Sequence, residues 1–316
     1  MMHDIPTPAR LAEKKQTPVE RALSLMRIGE RLDEDIRAFS VDQDDLKRAG
    51  LPDVEFPVNS GLNGGAARNI LEALVHNCHI TRPPRDIDLL ALTYSAEDRS
   101  RLQHFSKTLY EEGVIAESHP LNASGEGWLK HYMAAHDFTI NQVLYIADGD
   151  GGGTFYCTDQ ALRDMATTTI RPTVYEEEVY EQDGKRSRIV RDRIALKALR
   201  LAAEYQADGI DATIEGINFK YGIRHSAREP FQSMLSLHKI LERGIDATRE
   251  YMKLLRRYGF AQTLDPHVLA SQLEAEVWDF SFSAKAVETL DHYNAAPPRL
   301  TEKVGHALGV DAVRTL

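Results

Sequence analysis

The stretch RPPRDIDLLALTYS, residues 82–95, sets the tightest limit on how this chain can fold. Asp86 and Asp88 open a run that is otherwise apolar. Successive side chains of a strand point to opposite faces, so the two carboxylates share one face while Ile87 and Leu89 take the other. An ionised carboxylate entering a buried strand is costly unless something offsets its charge. Two side by side also repel, and a divalent cation is the simplest way to stabilise them; Asp-x-Asp at a strand edge is one means of holding Mg²⁺ for phosphoryl transfer. The same spacing recurs at Asp33/Asp35, Asp42/Asp44 and Asp148/Asp150, in polar or glycine-rich surroundings that read as helix surface, loop and turn. Only the pair at 86 and 88 leads into a continuous apolar strand.

The texture of the chain changes along its length. Residues 1–50 are polar and helix-prone, with PVERALSLMRIGERLDEDIRAF carrying apolar residues at helical spacing behind a Thr-Pro start, and are expected to form a helical N-terminal extension. Residues 51–172 hold short apolar strands (VEFPVNSGL, DIDLLALTY, GVIAESHPL, FTINQVLYIAD) separated by helical stretches (ARNILEALVHN, AEDRSRLQHFSKTLYEEG), which predicts a mixed helix-and-sheet head. Residues 173–190 read as a hairpin or linker turning at Asp183-Gly184, with an acidic strand facing a basic one. Residues 191–316 are helical, and Tyr251, Leu254, Leu255 and Tyr258 form an apolar stripe that reads as core packing. DGDGGG at 148–153 imitates a calcium loop, but strand-like sequence on both sides makes it a turn.

Composition narrows the function classes. A formal net charge of −10 argues against indiscriminate nucleic-acid binding. A local basic stretch remains, with Lys185, Arg186, Arg188, Arg191, Arg193, Lys197 and Arg200 opposed only by Asp192; a solvated face and an RNA-binding surface are both open readings of it. No apolar run is long enough to span a bilayer, and MMHDIPTPARLAEKK lacks the apolar core of a secretory signal, so the expected compartment is the cytoplasm. Cys78 and Cys157 are too few for a disulfide scaffold, and HNCH at 76–79 has no second ligand pair for zinc.

Upstream of the aspartates stands SGLNGGAARNILEALV. Gly64 and Gly65 end a strand and a helix starts at Ala66; glycines there let a ligand approach the backbone, and the helix N-terminus offers N–H groups to phosphate. Arg68 lies one turn in, in reach of a triphosphate. Together with DIDLL and the later HDFTIN, this GGAARN resembles the head domain of class II tRNA nucleotidyltransferases, the CCA-adding enzymes, and of the related bacterial poly(A) polymerases. LRDMATTTIR (162–171) resembles that family's connector, and LKALRLAAEY resembles its neck helix, so the likeness runs over roughly residues 56–206.

The resemblance implies an α+β fold: a polymerase-beta-like head with a mixed β-sheet, then an all-helical neck and body. It implies Mg²⁺-dependent transfer of a nucleotide from ATP or CTP to an RNA 3′-hydroxyl, with tRNA as the expected RNA and pyrophosphate leaving. Asp86 and Asp88 would hold two Mg²⁺ ions; Gly64, Gly65 and Arg68 would cradle the phosphates, and Asp137 with Asn141 would set the sugar side of the pocket. Asp192 and Arg193 are the counterparts of the family's base-reading pair, displaced by one residue, and the two arginines that precede Asp137 in the family are here Ala135 and His136. A nucleotidyltransferase with a protein or small-molecule acceptor, and a non-catalytic homologue, are the competing functions.

Overall fold

The computed structural model describes residues 16–48, 56–58, 60–77, 86–92, 95–111, 115–121, 123, 127–149, 151–180, 186–226, 229–281, 301, 303 and 304. The chain divides into two compact units, Met1–Val174 and Tyr175–Leu316.

The first unit is built on a seven-stranded sheet. Its elements are α1 (Pro18–Ile28), β1 (Glu30–Arg31), β2 (Ile36–Val41), α2 (Gln43–Arg48), β3 (Ser60–Asn63), α3 (Gly64–His76), β4 (Asp86–Ala91), α4 (Ala96–Glu111), β5 (Ile115–Pro120), α5 (Trp128–Ala134), a 3-10 turn (Thr139–Asn141), β6 (Val143–Ala147), β7 (Gly153–Thr158), α6 (Asp159–Ala166) and β8 (Thr169–Ile170). The strand order is β1-β2-β7-β6-β3-β4-β5. Every neighbouring pair is antiparallel except β4 and β5, which run parallel and are joined through α4. This is the expected α+β class with a mixed sheet.

The first fifty residues correct the expectation of a helical extension. Helix α1 starts where the Thr-Pro signal places it, with Thr17 and Glu20 capping each other's backbone N–H groups, and stops at Gly29. Residues 36–41 then form a strand paired along its whole length with β7. Both faces of this strand are covered, with Ile36 and Ala38 buried on one side and Phe39 and Val41 on the other, and the ladder bonds to β7 outweigh local helix propensity. Arg37 seals the junction through a two-pronged bond to Asp159, at 2.8 and 3.1 Å. Residues 1–15 of the expected extension lie outside the described residues.

Two apolar layers flank the sheet. On one face Phe39 stacks on Phe155, Tyr145 packs against Phe155 and Phe56, and Phe56 meets Phe105 of α4. The buried Tyr145 hydroxyl donates to the Gly152 carbonyl at 2.9 Å. On the other face Ile36, Leu90 and Leu144 meet Met133 of α5, with Trp128, Leu129 and Tyr132 around them. Burial of each such side chain is worth roughly 1.5–3 kcal/mol. Between β6 and β7, Gly149 and Gly151 have positive φ, and Asp148 takes the Gly152 N–H.

The second unit contains β9 (Glu177–Tyr180), β10 (Arg186–Arg191), α7 (Asp192–Ala207), β11 (Thr213–Ile214), β12 (Ile223–Arg224), α8 (Glu229–Leu241), α9 (Ile245–Arg257) and α10 (Pro266–Ser281). Strands β9 and β10 are antiparallel, with Arg188 opposite Glu178; the hairpin tip with Asp183-Gly184 lies outside the described residues. β12 adds in parallel to β10, so this part is not wholly helical. Its core is Ala195, Leu199, Ala202, Leu237, Ile240, Tyr251, Met252 and Ala270. Of the predicted stripe, Tyr251, Leu254 and Leu255 are in the core, while Tyr258 stacks on Phe219 at 4.0 Å between ring centres. No helix among the described residues is long and apolar enough to cross a membrane.

Candidate active site

Strand β3 and helix α3 are joined without an intervening loop. Asn63, the last strand residue, caps α3 by accepting the Gly64 N–H at 2.6 Å. Gly64 turns the chain with φ +58°, in the left-handed region that favours glycine. Buried Ala66, Ala67, Ile70, Leu71, Leu74 and Val75 then anchor the helix.

On β4, Asn63 pairs directly with Asp88. A β-carbon on Gly64 would lie 2.6 Å from Asp88 Oδ2, so the carboxylate and the glycine turn are in direct apposition. Asp88 is half-buried and, by alternation, on the same face as Leu90, which packs against α5. Asp86 opens the strand as expected, but its side chain falls outside what the structure describes. Carboxylate oxygen is the donor Mg²⁺ takes, so the Asp88 side chain is of the kind that fits that ion.

Arg68, Asn141 and Asp137 are brought together although 73 residues separate the first two. Arg68 Nη1 donates to Asn141 Oδ1 at 3.2 Å and Nη2 to Asn69 Oδ1 at 3.1 Å. Asn141 Nδ2 in turn donates to Asp137 Oδ1 at 2.9 Å. Arg68 is only 7 % exposed, and its buried Nε has no hydrogen-bond partner among the described residues. Gly65 lies beside this group, with Arg68 Nη2 4.0 Å from where its β-carbon would be. A second network holds the 3-10 turn from below. Asp164, 2 % exposed, accepts from Thr139 Oγ1 at 2.5 Å, Gln160 at 2.8 Å, and both Nε and Nη2 of Arg171 at 3.2 and 3.3 Å.

Sequence reasoning missed Asn63 and Tyr132. The Tyr132 hydroxyl donates to Asn63 Oδ1 at 2.7 Å, and His136 Nε2 lies 3.1 Å from the same oxygen. Burial first, and then the Asp88 carboxylate, push the Tyr132 hydroxyl above the usual phenol range, so it remains a donor. An aromatic in the last turn of a helix, four residues before a histidine just past its end, was the available signal.

Asp192 and Arg193 lie in the second unit, at the start of α7. Arg193 is exposed, whereas Asp192 is 1 % exposed and turned into its own unit: Oδ2 accepts the Ser226 N–H and hydroxyl at 2.7 and 2.9 Å, and Oδ1 the Arg193 N–H at 2.7 Å. Asp192, His225 and Glu229 gather with ligand atoms within 4.8 Å of one another. The nitrogen in that set suits a transition metal better than Mg²⁺.

No family model matches the chain, and no curated protein does. Solved structures that it is similar to include a tRNA-processing enzyme in an apo form, at 19 % identity and TM-score 0.40 over 63 % of this chain and 52 % of that one. A tRNA nucleotidyltransferase complexed with a primer tRNA and an incoming ATP analogue matches at 16 % identity and TM-score 0.39, over 64 % and 57 % of the two chains. The Thermotoga maritima CCA-adding enzyme complexed with tRNA matches at 12 % identity and TM-score 0.32, over 69 % and 46 %. The chain spans about half the length of these structures.

Proposed function

We propose that the chain is a nucleotidyltransferase that moves a nucleotide from ATP or CTP to an RNA 3′-hydroxyl, with the 3′ end of tRNA as the acceptor. The observation that carries this reading is the apposition of Asp88 and the Gly64 turn at the start of α3. One element supplies a carboxylate for a metal and the other presents backbone N–H groups to phosphate, with no side chain between them. Asp86 and Asp88 would hold Mg²⁺, which would neutralise charge on the triphosphate and make the attacking hydroxyl more acidic.

The remaining roles belong to the protein. The 3′-oxygen bonds to the α-phosphorus as the bond to the pyrophosphate oxygen breaks, and the hydroxyl proton passes to solvent. Arg68 holds the Asn141 amide in one orientation, and Asn141 fixes Asp137, which accepts hydrogen bonds from the ribose hydroxyls. The incompletely satisfied Arg68 guanidinium adds positive charge behind the phosphate cradle.

The test is incubation of the purified chain with each labelled nucleotide, Mg²⁺ and total RNA, beside the Asp86→Ala/Asp88→Ala variant, followed by sequencing of labelled ends. Addition of C or A to tRNA by the wild type alone supports the reading. Label on protein or small molecules, or none at all, overturns it.

A further inference from the structure

Asn63 is the point where three donors converge. Its side-chain oxygen faces the Gly64 N–H at 2.6 Å, the Tyr132 hydroxyl at 2.7 Å and His136 Nε2 at 3.1 Å. A backbone N–H can only donate, so the Asn63 atom at this position is the amide oxygen and its orientation is fixed. His136 Nδ1 lies 2.8 Å from the Tyr132 carbonyl, and the two rings meet edge to face at 4.7 Å. That carbonyl and Asn63 Oδ1 are both acceptors, so the imidazolium donates to both, whereas the neutral ring donates to Asn63 only as the tautomer protonated on Nε2. Tyr132, in the last turn of α5, and His136, two residues beyond its end, are thus held against each other and directed at the Asn63 oxygen.

Asn63 has two other attachments. It is the register partner of Asp88, and it caps the turn at Gly64, against which Asp88 packs too closely to admit a β-carbon. A rotation of the Asn63 side chain would release the Gly64 N–H and change the angle of the glycine turn, and that shift would be passed to the Asp88 carboxylate by contact.

We propose that Tyr132 and His136 are positioning residues for the Asp88 carboxylate, acting through Asn63. The proposal rests on the nucleotidyl-transfer reading above and deepens it by naming what holds the metal-binding carboxylate in place. Partners that orient a metal ligand without touching the metal typically change metal affinity or activity 10- to 100-fold.

The experiment compares wild type, Tyr132→Phe, His136→Ala and His136→Gln in the full chain. Mn²⁺ serves as the probe ion, its binding is read by electron paramagnetic resonance without nucleotide or RNA, and Asp88→Asn defines loss of the site. Nucleotide incorporation is measured in parallel, with kcat and KM separated. Tyr132→Phe and His136→Ala are expected to weaken Mn²⁺ binding roughly 10-fold and to lower kcat similarly, with the KM for nucleotide little changed. His136→Gln keeps an N–H donor at comparable reach and is expected to recover most of the loss, which a role in packing alone would not produce. Asn63→Ser keeps the helix cap but withdraws the oxygen from both partners, and serves if either α5 variant fails to fold; it is expected to show the same loss. Wild-type Mn²⁺ affinity in Tyr132→Phe, His136→Ala and Asn63→Ser overturns the proposal. If wild type transfers no nucleotide while Mn²⁺ affinity still falls in the variants, the positioning role is supported and the function reading is what fails.

Discussion

Replacing Gly64 with alanine tests the geometry of the site more sharply than removing an aspartate, because two independent costs can be read from one position. Gly64 has φ +58°, and an L-residue in that region costs about 1–2 kcal/mol. The new β-carbon would also lie 2.6 Å from Asp88 Oδ2, well inside contact distance, so the carboxylate must leave its rotamer at about 0.5–1.5 kcal/mol. The expected loss of stability is therefore roughly 2–3 kcal/mol for the first unit, accompanied by near-complete loss of transfer because Asp88 is the group displaced. Gly65 supplies the control. Its φ is not positive, the nearest atom to an added β-carbon is Arg68 Nη2 at 4.0 Å, and alanine is favoured over glycine in a helix by about 1 kcal/mol. Gly65→Ala should hold or raise stability while weakening nucleotide binding, because the extra methyl stands where phosphate approaches. Urea unfolding in a Trp278→Phe background lets Trp128 report on the first unit alone. Equal destabilisation by the two substitutions, or full activity in Gly64→Ala, would refute the argument.

Asp164→Ala should destabilise the first unit by about 2–3 kcal/mol in the same assay, since it strands Thr139 and Arg171; the figure sits below the usual cost of breaking a buried pair because Arg171 is about a third exposed. In a Cys78→Ser background, the fully buried Cys157 thiol, pushed far above its usual range by burial, should resist iodoacetamide at pH 8 until the chain unfolds. Burial, and then the charge of Asp192, raise the Glu229 carboxyl above its unfolded value despite His225. The folded chain thus binds more protons than the unfolded chain between those two values, so stability falls as pH rises through that window. Glu229→Gln should remove that fall, seen as a flatter dependence of the unfolding midpoint on pH from about 4.5 upward.

The local parts of the site could be read from the sequence because each depends on neighbours in the chain. The Asp-x-Asp pair announced β4 by opening an apolar run, and Gly-Gly before an amphipathic stretch announced the junction of β3 and α3. The partnerships could not be read. Arg68 appeared to point at a triphosphate one helical turn in; only the fold brings Asn141 beneath it and turns part of its guanidinium inward. Asn63 was passed over because its two long-range partners, Tyr132 and His136, lie about seventy positions away. The misreading of residues 36–41 has the same origin. Their spacing is compatible with continued helix, and the ladder that decides for strand comes from residues 153–158.

That late partner has a consequence for how the chain is made. Asp159, which seals the end of β2 through Arg37, is translated 122 residues after it, roughly 6–24 s later at ordinary rates of synthesis. Throughout that interval Ile36, Ala38, Phe39 and Val41 lack the strand that pairs with them along their whole length, with only the two-residue β1 on the other edge. They form a short apolar β-prone segment of the kind that pairs with other chains or recruits a chaperone. Slowing translation between residues 41 and 153 should therefore lower the soluble yield, whereas a pause after Asp159 should be harmless.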